Sequence, residues 1–131
     1  LLEQLPPTRW ALVTSASRRV AEHRLLHAGL PLPRLLVCAG DVVRGKPDPE
    51  PYLLAASRLG LAPADCLVFE DAPAGIASAL QAGCQVVQMG GTRRYDDRLK
   101  GWLRDWRGIE IEVAPDGLHL HLSAPLPAEA G

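Results

Sequence analysis

No apolar run in this sequence approaches the roughly 20 residues that a membrane helix needs, and its start shows no charged region followed by a signal-like core. The expectation is a soluble, cytoplasmic protein. An excess of one charge is missing too: 14 Lys and Arg stand against 15 Asp and Glu, for a net charge of −1, with neither a basic stripe nor a polybasic tail. Nothing electrostatic points to nucleic acid or an anionic membrane, which leaves small molecules or proteins as partners. Cysteine is sparse. Cys38, Cys66 and Cys84 are scattered through apolar runs with no metal-ligand spacing, and their odd number argues against a disulfide framework, so plain buried thiols are expected. There is no internal repeat, no low-complexity block, and no Gly-x-Gly-x-x-Gly or Walker-type loop after any strand.

What is present is an alternation. The pivotal stretch is Cys66-Leu67-Val68-Phe69-Glu70-Asp71-Ala72-Pro73-Ala74-Gly75-Ile76: a short apolar run, two adjacent carboxylates, then a small-residue turn opening into a helical pattern through Ala82. Before it, residues 10–13 read as a buried strand, Ser17 as a helix N-cap, and Val20, Leu25, Leu26 and Leu30, with Ala21 and Ala28, as a helical stripe stopped by Gly29 and Pro31. Residues 35–38 read as a second strand. A polar loop with Lys46 follows, then a helix opened by Pro49 and Pro51, with Tyr52, Leu53, Ala56 and Leu59 as its buried face, ended by Gly60. Residues 85–89 form a further strand closed by Gly90-Gly91, and residues 96–106 read as an amphipathic helix with Trp102 and Trp106 packed on one face. Strand and helix in alternation are the pattern of a parallel α/β sheet. Residues 109–113 and 118–122 alternate strictly around Ala114-Pro115-Asp116-Gly117 and read as a β-hairpin. The expected organisation is an α/β core over residues 1–108, a hairpin over 109–124 packed on or extending it, and a disordered tail over 125–131. Two histidine pairs, His23 with His27 and His119 with His121, lack a third nearby ligand and read as solvated rather than metal-binding.

In open α/β sheets ligands sit beyond the carboxyl ends of the strands. Thr14 and Ser15 follow the first strand, Lys46 lies in the loop after the second, and Glu70 and Asp71 follow the third. Hydroxyls and free amides donate to phosphate oxygens, a lysine adds a point charge, and paired carboxylates hold a magnesium ion that keeps several waters. Taken one at a time, each set has a plainer reading as a cap, a loop charge or a polar strand end.

Together these residues carry a resemblance. Ala11-Leu12-Val13-Thr14-Ser15, Gly45-Lys46-Pro47-Asp48-Pro49 and Val68-Phe69-Glu70-Asp71-Ala72-Pro73-Ala74-Gly75 resemble, in order, the second, third and fourth motifs of the haloacid dehalogenase (HAD) superfamily. They are most similar to its sugar-phosphatase and β-phosphoglucomutase-like branch. The resemblance implies a Rossmann-like core. It also implies that Thr14, with Ser15 beside it, binds the transferring phosphoryl group, that Lys46 neutralises that group and orients the nucleophile, and that Asp71 and Glu70 hold Mg2+.

The family's first motif, an Asp-x-Asp-Gly-Thr run whose first Asp attacks phosphorus, has no counterpart, for the sequence contains no Asp-x-Asp. Its strand is central in the family, between those matching residues 10–13 and 67–69, so two inner sheet edges are expected to be exposed and to invite self-association or pairing with a missing N-terminal half. The inserted helical cap is missing as well; residues 1–5 look like the last turn returning from it. The expected function is the C-terminal part of a magnesium-dependent phosphatase of small sugar phosphates, inactive alone because the aspartyl-phosphate route lacks its Asp. The alternatives are a fragment of a β-phosphoglucomutase-like mutase and a catalytically inactive binding or interaction module that uses an open sheet edge.

Overall fold

The first strand of the computed structural model, β1 (Leu12–Val13), is followed by α1 (Arg18–His27), and residues 5–106, 109–114 and 117–122 are described. The Ser17 hydroxyl accepts from the Val20 amide at 3.3 Å and caps the helix as its sequence suggests. Its other end closes in a Schellman arrangement, with Leu30 N–H donating to the Leu25 carbonyl and Gly29 N–H to that of Leu26. Gly29 takes the positive φ of 69° this needs. The expected stripe on α1 is largely wrong. Ala21 and Leu25 are buried, whereas Leu26 is 80% exposed and Val20 and Leu30 are also exposed. The sheet beneath is only two short strands wide, and Leu12, Leu36 and Cys38 offer room for a single row against Ala21.

The second strand, β2 (Leu36–Val37), pairs in parallel with β1, Leu12 opposite Leu36 and Val13 opposite Val37. The helix α2 (Glu50–Leu59) follows, with Pro51, Tyr52, Ala55 and Ala56 buried; Leu53, expected in this face, is exposed and Ala55 takes its place. Next come β3 (Leu67–Glu70), α3 (Pro73–Ala82) and β4 (Gln85–Met89), the last with the predicted bounds. The predicted helix over residues 96–106 is absent. Asp96 instead ties off a tight turn by accepting from the Arg98 amide at 2.8 Å, and β5 (Gly101–Leu103) adds to the open side of β4, whose unpaired backbone groups outweigh a marginal helical pattern. Only one of the two tryptophans is buried as expected: Trp102 is buried, whereas Trp106 stays exposed, its ring 4.9 Å from that of Phe69. Parallel pairing of β3, β4 and β5, beside the parallel β1 and β2, gives a Rossmann-like α/β architecture.

The strands β6 (Ile109–Ala114) and β7 (Gly117–Leu122) pair antiparallel, as the alternation predicts, and form a two-stranded sheet of their own. Residues 1–4, 107–108, 115–116 and 123–131, which include the expected tail and the expected helix turn at residues 1–5 save for Leu5, lie outside the described residues. No helix among the described residues is long and apolar enough to cross a membrane.

The main core is Tyr52 from α2, Ile76, Ala79 and Ala82 from α3, and Val68 and Val86 from the sheet, with Val13 leaning on it from β1. So α3 covers β3 and β4, while α2, packed against α3, braces the separate β1–β2 pair. The three cysteines are free. Cys38 and Cys84 are buried as expected, whereas Cys66 is only half-buried, and burial raises the thiol pKa of each, to about 11 at Cys84.

The outer edge of β2 is sealed by side chains. Leu12 N–H takes the Leu35 carbonyl and Thr14 N–H that of Val37, so the Leu36 carbonyl and the Cys38 amide face away from β1. Arg18 from α1 and Arg58 from α2 donate to Leu36 O at 3.3 and 3.2 Å, and the Cys38 amide donates to Asp41 Oδ2 at 2.8 Å. Both guanidinium groups also lie within 4 Å of the Asp41 carboxylate, at 3.6 and 3.7 Å. Side chains thus satisfy an edge that would otherwise recruit another strand.

Two outcomes follow from this packing. A Cβ on Gly75 would lie 2.1 Å from the Glu70 carboxylate carbon. Gly75→Ala should therefore lose about 1–3 kcal/mol to overpacking, more than the roughly 0.5–1 kcal/mol that alanine gains in a helix, and a thermal melt should show a lowered midpoint. At Asp41 the Cys38 amide, followed by the Arg58 and Arg18 charges, holds the carboxyl below its ordinary value. Its contribution is then complete above about pH 4, the unfolded value, and is lost as the pH falls through the depressed folded value, so the melting difference between wild type and Asp41→Asn should shrink in acid.

Candidate functional site

Thr14, Ser15 and Lys46 line one small cavity of about 120 Å³, together with Ala39, Val42, Val43, Gly45 and Pro51. Thr14 leaves β1 with its amide on the Val37 carbonyl, and its Oγ1 accepts from the Ala16 amide at 3.1 Å, a local turn that leaves the hydroxyl proton to donate elsewhere. Ser15 beside it is exposed. The loop carrying Lys46 is pinned from three sides. Glu50 accepts from the amides of Val43 and Arg44 at 2.8 and 2.9 Å, Asp48 Oδ1 accepts from Glu50 N–H at 3.0 Å, and the Ser78 hydroxyl of α3 donates to the Asp48 carbonyl at 2.6 Å.

From that loop Lys46 reaches inward. Its Nζ donates to the Val13 carbonyl of β1 at 3.2 Å and to Glu70 Oε1 of β3 at 2.5 Å, and lies 5.3 Å from the centre of the Tyr52 ring. Lys46 and Glu70 have side chains only 13% and 7% exposed, so this ion pair is largely withdrawn from water and its geometry matters. The Tyr52 hydroxyl donates to the same Oε1. Burial, and then the Glu70 charge, push the Tyr52 phenol far above its ordinary value, which keeps it a proton donor. Glu70 Oε2 has only the longer contacts from the amides of Asp71 and Ala72, at 3.2 and 3.5 Å. Asp71 is exposed just beyond it.

Of the residues singled out in the sequence, Thr14, Ser15 and Lys46 therefore share a cavity wall, Glu70 is joined to them through Lys46, and Asp71 stands at the open end of β3. The donor set is hard oxygen: one exposed carboxylate, and one carboxylate with an oxygen not fully engaged. That suits Mg2+, which is usually held by one or two carboxylates with waters and a substrate phosphate making up the rest. Among the described residues no group of three or more His, Cys, Asp or Glu gathers, and the His23 and His27 rings lie with their centres 5.2 Å apart.

Two residues were missed by the sequence reading. Tyr52 reads there as a core aromatic on α2, and the only hint of more is the polar end of a tyrosine on an otherwise apolar face. Gln88, fully buried, stands in register with Glu70 on β3 and Trp102 on β5. Its amide donates to the carbonyls of Gly90 and Arg93 and accepts from the Tyr95 amide, while Trp102 Nε1 donates to Gly90 O. A polar rung thus crosses three strand ends and fixes the loop after β4, where a wider cavity of about 420 Å³ is lined by Arg94, Tyr95, Asp96, Asp97 and Arg98.

Known proteins match this chain over much of its length. The chain is 58% identical over 78 residues to hexitol phosphatase A of Escherichia coli (strain K12), covering 60% of this chain and 36% of that protein. It is 40% identical over 102 residues to glycerol-1-phosphate phosphohydrolase 2 of Saccharomyces cerevisiae, covering 72% and 41%. Among solved structures it superposes on a putative β-phosphoglucomutase from Thermotoga maritima with a TM-score of 0.60 at 30% identity, covering 72% of this chain and 47% of that one. The chain spans less than half the length of each of these proteins. The profile of the haloacid dehalogenase-like hydrolases matches residues 2–83, and the chain belongs to that family.

Proposed function

We propose that this chain is the phosphate- and metal-holding part of a magnesium-dependent phosphomonoesterase acting on small sugar or polyol phosphates. The observation that carries the reading is Lys46, one ammonium group that reaches Val13 O, Glu70 Oε1 and the cavity lined by Thr14 and Ser15. A lysine ammonium has three donors. Two are used within the protein, and the third serves a phosphoryl oxygen in the cavity, joined by the Thr14 and Ser15 hydroxyls. The pinned loop holds these donors before substrate arrives, so little reorganisation is needed as charge builds on phosphorus.

Asp71, with Glu70 through Oε2, would hold Mg2+, which when bound supplies charge neutralisation at a phosphoryl oxygen. The attacking carboxylate is not assigned to any residue here, since the sequence has no Asp-x-Asp and both acids at the tip of β3 are committed to the metal. An aspartyl-phosphate route therefore takes its Asp from outside this chain. The polyol phosphates named for the hexitol and glycerol-1-phosphate enzymes support that substrate class, and their identities of 58% and 40% favour hydrolysis over a mutase reaction.

Calorimetry on the chain with orthophosphate and Mg2+ tests this. Wild type should bind phosphate, and Lys46→Ala should weaken it at least about tenfold by removing a charge-assisted contact. Asp71→Asn should mainly weaken Mg2+. Phosphate affinity undiminished in Lys46→Ala sinks the assignment, and phosphate released from hexitol or glycerol phosphates by the chain alone would refute an attacking carboxylate outside it.

A further inference from the structure

We propose that Tyr52 is a positioning residue for this site, setting how tightly Glu70 holds Lys46 and so how well Lys46 is presented to an anion. The inference rests on the phosphate reading of the cavity given above. Tyr52 lies on the buried face of α2 within the main core, yet its hydroxyl and ring both serve the ion pair. Glu70 Oε1 accepts from the Tyr52 hydroxyl and from Lys46 Nζ, so two donors divide one oxygen. The ring bounds the space open to the ammonium on one side, 5.3 Å from Nζ, and the Val13 carbonyl fixes it on another at 3.2 Å.

The hydroxyl is the adjustable part of this arrangement. While it donates to Oε1 it takes up part of that oxygen's negative charge, and Lys46 keeps a donor for the cavity. Without it Oε1 is left to Lys46 alone, and the ammonium charge is more fully engaged by Glu70 and less available to an anion beside Thr14 and Ser15. Removal of one uncharged hydroxyl, outside the cavity lining, should therefore weaken a ligand it never touches.

Tyr52→Phe, which keeps the ring, is the direct test. Its orthophosphate affinity should fall about tenfold, the scale of one charge-assisted hydrogen bond. Val86→Ala, a change in the same buried core as Tyr52 but outside the cavity lining, serves as a control for lost stability and should leave phosphate affinity unchanged. A second readout needs no ligand. The chain has two lysines, Lys46 and Lys100, so acetylation by a limiting anhydride can be followed at each by mass spectrometry with Lys100 as internal reference. In Tyr52→Phe the Lys46 rate relative to Lys100 should drop several-fold, because a more tightly held amine leaves its hydrogen bonds less often. An unchanged or faster Lys46 rate overturns the proposal, as does an equal loss of phosphate affinity in Val86→Ala. Failure of wild type itself to bind phosphate would instead overturn the phosphate reading, with the acetylation rates still deciding the role of Tyr52.

Discussion

A carboxylate buried at a strand end is costly unless its charge is answered on every side, and the architecture around Glu70 answers it. Lys46 comes from the loop after β2, Tyr52 from α2, and the amides of Asp71 and Ala72 from the turn into α3. Gly75 lets the helix approach until no side chain would fit between. Lys46 and Tyr52 lie 24 and 18 residues before Glu70, and a single acidic group draws them to the turn that follows it. Because Lys46 also holds the Val13 carbonyl, the same group ties the β1–β2 pair to the β3–β4–β5 sheet, with which it shares no strand pairing. Breaking such a pair from one side leaves a buried charge behind, which makes this constraint structural as well as functional.

The polar rung extends that logic sideways. Glu70, Gln88 and Trp102 sit in register at the ends of three neighbouring strands, and each turns a hydrogen-bonding group to a loop or turn beyond its own or a neighbouring strand. Carboxyl-end loops are where α/β folds place ligands. Here the turn after β3 and the loop after β4 are set in position by side chains belonging to the strands themselves.

Much of this was legible in the sequence because the signals are local. The Ser17 cap, Gly29 and Gly60 as helix ends, and β4 over Gln85–Met89 all follow from residue type and spacing. So does the order of the three motifs, which brought Thr14, Ser15, Lys46 and Glu70 to one end of the fold. What failed depended on neighbours. The exposed Leu26 and Leu53 obey helical periodicity but meet no partner, because burial is decided by the width of the sheet below. Residues 96–106 carry a helical pattern, yet the free edge of β4 claimed Gly101–Leu103 as a strand. The roles of Tyr52 and Gln88 arise from contacts across 18 residues in one case and across a strand register in the other, and no local pattern encodes either.

The cap on the outer edge of β2 is built from Arg18, Asp41 and Arg58, with side chains 52%, 24% and 37% exposed, whereas the Lys46–Glu70 pair is far more enclosed. Dissolved ions screen charges that face water and scarcely reach those that do not. The two borders of the β1–β2 pair therefore answer to different solvents: the outer one loosens as ionic strength rises, while the inner one, beside the cavity, is largely indifferent to salt.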